Sequence, residues 1–278
     1  MRKQGNFLIL ALIILTGLGL LAAAINAVRE RAWLAQCTNQ SRQIGIALDN
    51  HVVQRGHFPR GTVANETLSP EKRLSWIVET LPYMESTYII FDRGKPWDAD
   101  DNLIPKFSCK GETPAVTRGT LDGFKQFLCP GNPVRGESGR PSFTHYVGIA
   151  GVGKNAADGP LQTSGEGPGR PEVGVFGYDR EVKPEDIKDG RANTMAVTET
   201  RVDNGPWTAG GSATVRGLEP RSSSYLGRTG AFGGNHAGGA LVAFADGSAR
   251  FIGESIHPEV FRALATIAGG EEVGRVGE

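Results

Sequence analysis

Residues 7–25 read FLILALIILTGLGLLAAAI, and this run restricts the fold more than any other stretch of the chain. Thr16 carries the only hydrogen-bonding side chain in it, and there is no charge. About 20 such residues let a helix cross the hydrocarbon core of a bilayer, where backbone polar groups must be satisfied within the segment. Arg2 and Lys3 precede the run, which favours a cytoplasmic amino terminus, although Arg29 and Arg31 on the far side, with Glu30 between them, weaken that asymmetry. The alanines at 22–24 would also suit cleavage of a secretory signal. The residues that follow favour an uncleaved anchor. Residues 26–55 hold no proline, Gly45 is their only glycine, and Trp33, Cys37, Ile44, Leu48 and Val52 recur on one helical face. The pattern predicts one helix over about 8–55, roughly 70 Å long at 1.5 Å per residue, stopped by Gly56 and Pro59. The expected divisions are an anchor at 1–28, a soluble extension of the same helix at 29–56 and an extracytoplasmic domain at 57–278.

Beyond the helix the chain changes character. It contains 39 glycines and 16 prolines, which favour short strands and loops over a helical bundle. Helical spacing marks SWIVETLPYM, with Pro82 interrupting it, and PEVFRALATIA at 258–268. YIIFD at 88–92 reads as a helix end or a short strand. Strand character marks KQFLCP at 125–130, FTHYVGIAG at 143–151, GVFGY at 174–178 and TMAVTET at 194–200. Residues 151–172 and 203–235 read as long exposed loops rich in small residues. The sum is an α+β fold: one long helix packed on a mostly antiparallel sheet. Thirty basic and thirty acidic residues cancel and no long run of either sign occurs, so no nucleic-acid partner is expected.

Candidate chemistry is sparse. GIAGVGKN at 148–155 has P-loop spacing up to Lys154, but Asn155 stands where a magnesium-binding hydroxyl is needed and no helix can follow. Asp98, Asp100 and Asn102 alternate as at the opening of a calcium loop, but Leu103 and Cys109 replace the expected glycine and glutamate. A solvated turn is the default reading there, with a looser calcium site as the alternative. No GxSxG or HExxH occurs, and no catalytic residue or enzymatic activity is expected. The three cysteines, Cys37, Cys109 and Cys129, show no zinc spacing, so neither a zinc site nor any other cofactor is expected. In an oxidising compartment Cys109 and Cys129 are the candidate disulfide pair, against two unpaired buried thiols.

NHAGGALVAFADGSARFIGESI at 235–256 reads as a β-hairpin. A two-residue turn at Asp246-Gly247 would pair Phe244 with Ala249 and Val242 with Phe251, and would put Val242, Phe244, Ala249 and Phe251 on one core face. His236 then lies far from Asp246 along the hairpin. It is expected to order the entry loop by a hydrogen bond, so His236, Asp246 and Gly247 all receive structural roles.

These stretches together resemble a large bacterial group of pseudopilin-like proteins classed as a domain of unknown function, number 1559, and also labelled as a solute-binding type. The resemblance rests on AQCTNQSRQIGIALDNHVVQRGHFPRG, SWIVETLPYME, FLCPGNP, YVGIAG, GVFG, IKDGRANTMAVTET, LATIAGGEEV and His236, nine residues, Asp246-Gly247. It implies a pilin-like fold, a single-pass inner-membrane protein with its domain outside the cytoplasm, and kinship with type II secretion and type IV pilus components. Partners would be the membrane, other pseudopilin-like subunits or the secretion machinery. The solute-binding label implies an alternative, a tethered module for a glycan or small solute, with Trp97, Trp207 and Tyr225 as exposed contacts. One departure matters. After Gly5 the family's prepilin pattern places a glutamate at the fifth mature position, and here Leu10 stands there. Processing after Gly5 and filament entry are thereby in question.

Overall fold

The computed structural model describes residues 2–84, 87–109, 117–119, 121, 125–161, 172–227 and 230–271. Helix α1 spans Arg2–Arg55 without a break. It stops where expected. Gly56 adopts φ +81° and its N–H donates to the Val52 carbonyl, a left-handed cap that glycine enters without steric cost. Within α1 the apolar side chains from Leu12 to Val28 are exposed, and this helix is long and apolar enough to cross a membrane, a property that anchors and signal sequences share. From Cys37 onward one face is buried: Cys37, Gln40, Ser41, Ile44, Ala47, Leu48, His51 and Val52. That spacing is the amphipathic stripe of a helix lying on a core. Burying Ile44, Leu48 and Val52 contributes roughly 1.5–3 kcal/mol each.

The surface under α1 is a five-stranded sheet. Its strands are β4 (Tyr146–Val152), β5 (Met195–Glu199), β6 (Val215–Leu218), β7 (Gly239–Phe244) and β8 (Ala249–Gly253), in the order β6-β4-β5-β7-β8. Only β4 and β6 run parallel. A second, smaller antiparallel sheet joins β1 (Thr87–Ile90), β2 (Lys106–Cys109) and β3 (Thr117–Arg118). Short helices α2 (Trp76–Thr80) and α3 (Asp100–Leu103) precede the large sheet in sequence, and α4 (Pro258–Leu264) follows it.

Both faces of the large sheet are covered, which is why β4, β5 and β7 are buried along their whole length. Tyr146, Ala150 and Ala243 face α1 together with Trp76, Phe176 and Trp207. Val147, Ile149, Val242, Phe244 and Ile252 face α4 and pack with Tyr225, Phe232, Phe261 and Leu264. Residues 125–130, expected as a strand, are instead a turn-rich segment whose Phe127 and Cys129 are fully buried. The apolar run there plugs the core without joining a ladder. GVFGY likewise forms no strand. Val173 beside it makes a single bridge with Gly151.

The terminal hairpin forms with a register one residue away from expectation. Val242 lies opposite Arg250 and Leu241 opposite Phe251. The Gly247 N–H donates to the Phe244 carbonyl and the Phe244 N–H to Ser248, so the loop holds Ala245, Asp246 and Gly247, with Gly247 at φ +84°. This is the three-residue hairpin with a left-handed glycine. One residue of slip exchanges the faces. Phe251 is therefore partly exposed, and Arg250 stacks over the Phe244 ring at 3.5 Å.

Candidate metal centre and adjoining groove

Four segments meet where α1 enters the domain. Helix α1 contributes Cys37, the turn after Phe127 contributes Cys129, the end of β5 contributes Glu199 and the glycine-rich entry to β7 contributes His236. One ligand-type atom from each lies within 4.8 Å of all the others. Cys37, Cys129 and Glu199 have no exposure, and the His236 side chain is 5% exposed. His236 Nε2 lies 3.6 Å from Cys129 Sγ and 3.3 Å from Glu199 Oε1.

Each donor is fixed by its surroundings. Tyr146 lies opposite Glu199 in the β4–β5 ladder, and its hydroxyl donates to Gln40 Oε1 at 3.1 Å. Gln40 in turn donates to the Leu128 carbonyl, tying α1 to the Cys129 turn. The buried His145 accepts the Cys129 N–H at Nδ1 (2.8 Å), so its proton sits on Nε2 and goes to the Val134 carbonyl at 2.7 Å. Burial holds this imidazole neutral, with its pKa pulled down to about 4. Glu199 Oε2 accepts the Leu241 N–H at 3.0 Å. Gly233, Gly234 and Gly238 at positive φ fold the chain around His236. Gly131 belongs to the same junction: a methyl there would come within 3.3 Å of the Trp33 ring and 3.8 Å of Cys129 Sγ.

The electrostatics favour a thiolate beside an imidazolium. A hydrogen bond from Cys37 and a further one from His236 pull Cys129 down to about 6 against the opposing effect of burial. Burial lowers the His236 pKa, but Cys129 and then Glu199 outweigh it and raise the value to about 10. Two soft sulfurs, an imidazole nitrogen and a carboxylate oxygen converge here, a donor set that could hold a metal ion.

Of the two alternatives for Cys109 and Cys129, a disulfide or unpaired buried thiols, the structure shows the unpaired one at Cys129. Cys129 is a free thiol directed at Cys37 and His236, and the Cys109 side chain lies outside the described residues. The sequence holds no local zinc spacing, and it is the sheet that brings together a set of donors that could hold a metal ion. The two halves of His236–Asp246–Gly247 also have separate roles. Asp246 Oδ1 accepts both the N–H and the hydroxyl of Ser248, which organises the hairpin turn.

On the solvent side of His236 lies a groove of about 850 Å³ between α1 and the domain. Glu30, Trp33 and Leu34 of α1 form one wall, and Asn132, Arg201 and Glu254 are among the residues facing them. The aromatics expected as ligand contacts are elsewhere and covered. Trp207 is fully buried, Tyr225 is 3% exposed and stacks on Phe261, and Trp97 is half-buried with its Nε1 donating to the Glu71 carbonyl. The calcium candidate also loses ligands. Asn102 is buried and bonded to the backbone of Asp92, Lys95 and Pro96, while Asp98 pairs with Lys72 at 2.7 Å.

The four donors lie between residues 37 and 236. A family model described as a protein of unknown function (DUF1559) matches residues 26–218 and 205–259. The chain belongs to this family. The match includes every donor of the cluster and begins just beyond the apolar run. No curated protein and no solved structure matches the chain.

Proposed function

We propose that this DUF1559 protein is a membrane-anchored, non-enzymatic, pseudopilin-like protein. Its domain lies outside the cytoplasm and works by assembly with like subunits or with type II secretion or type IV pilus components. The observation that carries this reading is the continuity of α1. One helix is bare and apolar from Leu12 to Val28 and a core element from Cys37 to Val52, with no linker between. A removable signal has no need of such continuity. The charges before the run support an amino terminus in the cytoplasm. Leu10 in place of the prepilin glutamate favours a plain anchor over a filament subunit.

The groove beside His236 supports a second reading, a tethered solute-binding module. Its ligand would be recognised by Glu30, Arg201 and Glu254 with Trp33, and not by the buried aromatics.

Intact mass and amino-terminal sequence of the protein purified from its native membrane test the anchor. A chain keeping Met1 or Arg2 is the expected result. A chain starting at Asn6 with a methylated amine would move the protein into filaments. A start near Ile25 would overturn the anchored reading.

A further inference from the structure

We propose that Cys37 Sγ, Cys129 Sγ, Glu199 Oε1 and His236 Nε2 bind one zinc ion, and that this ion pins α1 to the domain. The proposal stands independently of the anchor.

The spacing of the donors is the first support. Zinc bonds of about 2.3 Å to sulfur and about 2.0–2.1 Å to nitrogen or oxygen, at tetrahedral angles, set N···S at about 3.6 Å and N···O at about 3.3–3.4 Å. The chain holds His236 Nε2 at 3.6 Å from Cys129 Sγ and 3.3 Å from Glu199 Oε1. The second support is an unmet need. Glu199 is fully buried, and Oε1 makes no hydrogen bond of acceptable geometry although His236 Nε2 is beside it. A single Nε2 proton cannot serve the Cys129 sulfur and the carboxylate at once, and a buried carboxylate oxygen whose nearest partner, at 3.3 Å, is shared in this way is under-satisfied. A cation among the four satisfies all of them together. The third support is the outer shell. The Leu241 N–H holds the other carboxylate oxygen, and His145 and Gln40 fix the turn that carries Cys129. Metal ligands are commonly oriented by such partners.

Binding balances simply. Cys37 gives up its thiol proton and His236 its Nε2 proton to solvent, while Cys129 and Glu199 enter already ionised. The set carries one net negative charge with Zn²⁺. Four protein donors fill a tetrahedral ion, so the site is structural and has no open position for a substrate. Three of its ligands come from the domain and one from the helix, so the ion is a cross-link between them.

The test uses the full chain in detergent, purified without chelator. The expected result is one zinc per chain, with X-ray absorption showing two sulfur neighbours at about 2.3 Å and two lighter ones at about 2.0 Å. Cys129→Ser and His236→Ala should each lose the metal. Chelation should speed amide exchange over residues 34–52, and added zinc should reverse it. If the variants do not fold, the parent chain alone decides. Failure to take up equimolar zinc, with Cys37 and Cys129 both open to alkylation, overturns the proposal. A Cys37–Cys129 disulfide, seen by peptide mapping as a cross-linked pair two hydrogens short, overturns it equally. Metal content is independent of how the amino terminus is processed, so this result and the anchor result are read separately.

Discussion

Gly45 of α1 lies so close to Gly247 at the hairpin turn that a methyl group on Gly45 would stand 2.5 Å from the Gly247 carbonyl oxygen. The helix therefore meets the sheet through bare backbone at this point. Arg191 braces the same contact, donating to the Ala245 carbonyl and to Asp49 of α1.

Gly45→Ala is expected to destabilise the chain by about 1–3 kcal/mol through overpacking, because the obstacle is backbone and cannot turn aside. Gly19→Ala is its control. Nothing lies within 4 Å of that position, and alanine is the better helix former. Thermal melts of the two variants in the same detergent should show a lowered midpoint for Gly45→Ala alone.

Arg180 is nearly buried, and its guanidinium donates to the carbonyls of Ala150, Ala156, Gly159, Gly174 and Phe176. Burial pulls its pKa down to about 10, so it remains charged at neutral pH. Arg180→Met keeps the bulk and removes every donor. It should cost about 3 kcal/mol or more, read as a fall in the denaturant midpoint at constant slope. Arg180→Lys should recover only part of this, since an ammonium cannot reproduce the fork.

Trp207 packs between Phe91 and Phe127 at ring separations of 5.9 Å. Trp207→Ala should lower stability by about 3–5 kcal/mol, the range for emptying a large aromatic site. An exposed ligand contact would leave the unfolding midpoint unchanged, so this one measurement separates the core role from the surface role.

Burial raises the Glu79 pKa, but His51, whose Nε2 lies 3.9 Å from the carboxylate, and Arg93, which donates to it at 2.7 Å, outweigh it and hold the carboxyl below its ordinary value. A carboxylate with a depressed folded pKa adds stability above its unfolded value, about 4.3, and loses it as the pH falls through the folded one. Glu79→Gln should therefore be less stable than the parent at pH 6. The difference should shrink on acidification below about pH 4.3, as followed by urea midpoints.

Local periodicity made much of this fold readable. The stripe from Cys37 to Val52, the β-branched and aromatic run into β4, and the apolar alternation of TMAVTET each obey a period set by one element alone. The hairpin was readable as a hairpin but not in its register, because Asp-Gly serves both two- and three-residue loops and Ser248 decides between them from outside the pair. Phe127 and Leu128 imitate a strand because a core plug and a strand share a composition. The four-donor cluster obeys no period. Its donors arrive from a helix, a turn, a strand end and a loop far apart in the chain, and only the order of the sheet joins them. One signal was available. Glu199 ends an otherwise buried strand, and a carboxylate there requires a compensating partner.

The unbroken α1 also has a mechanical consequence. A helix without a joint acts as a lever, and its inner arm is fixed to the sheet at Cys37, Gly45 and Val52. A tilt or twist applied at the exposed outer arm is therefore carried to the domain through these three contacts and not through a flexible linker.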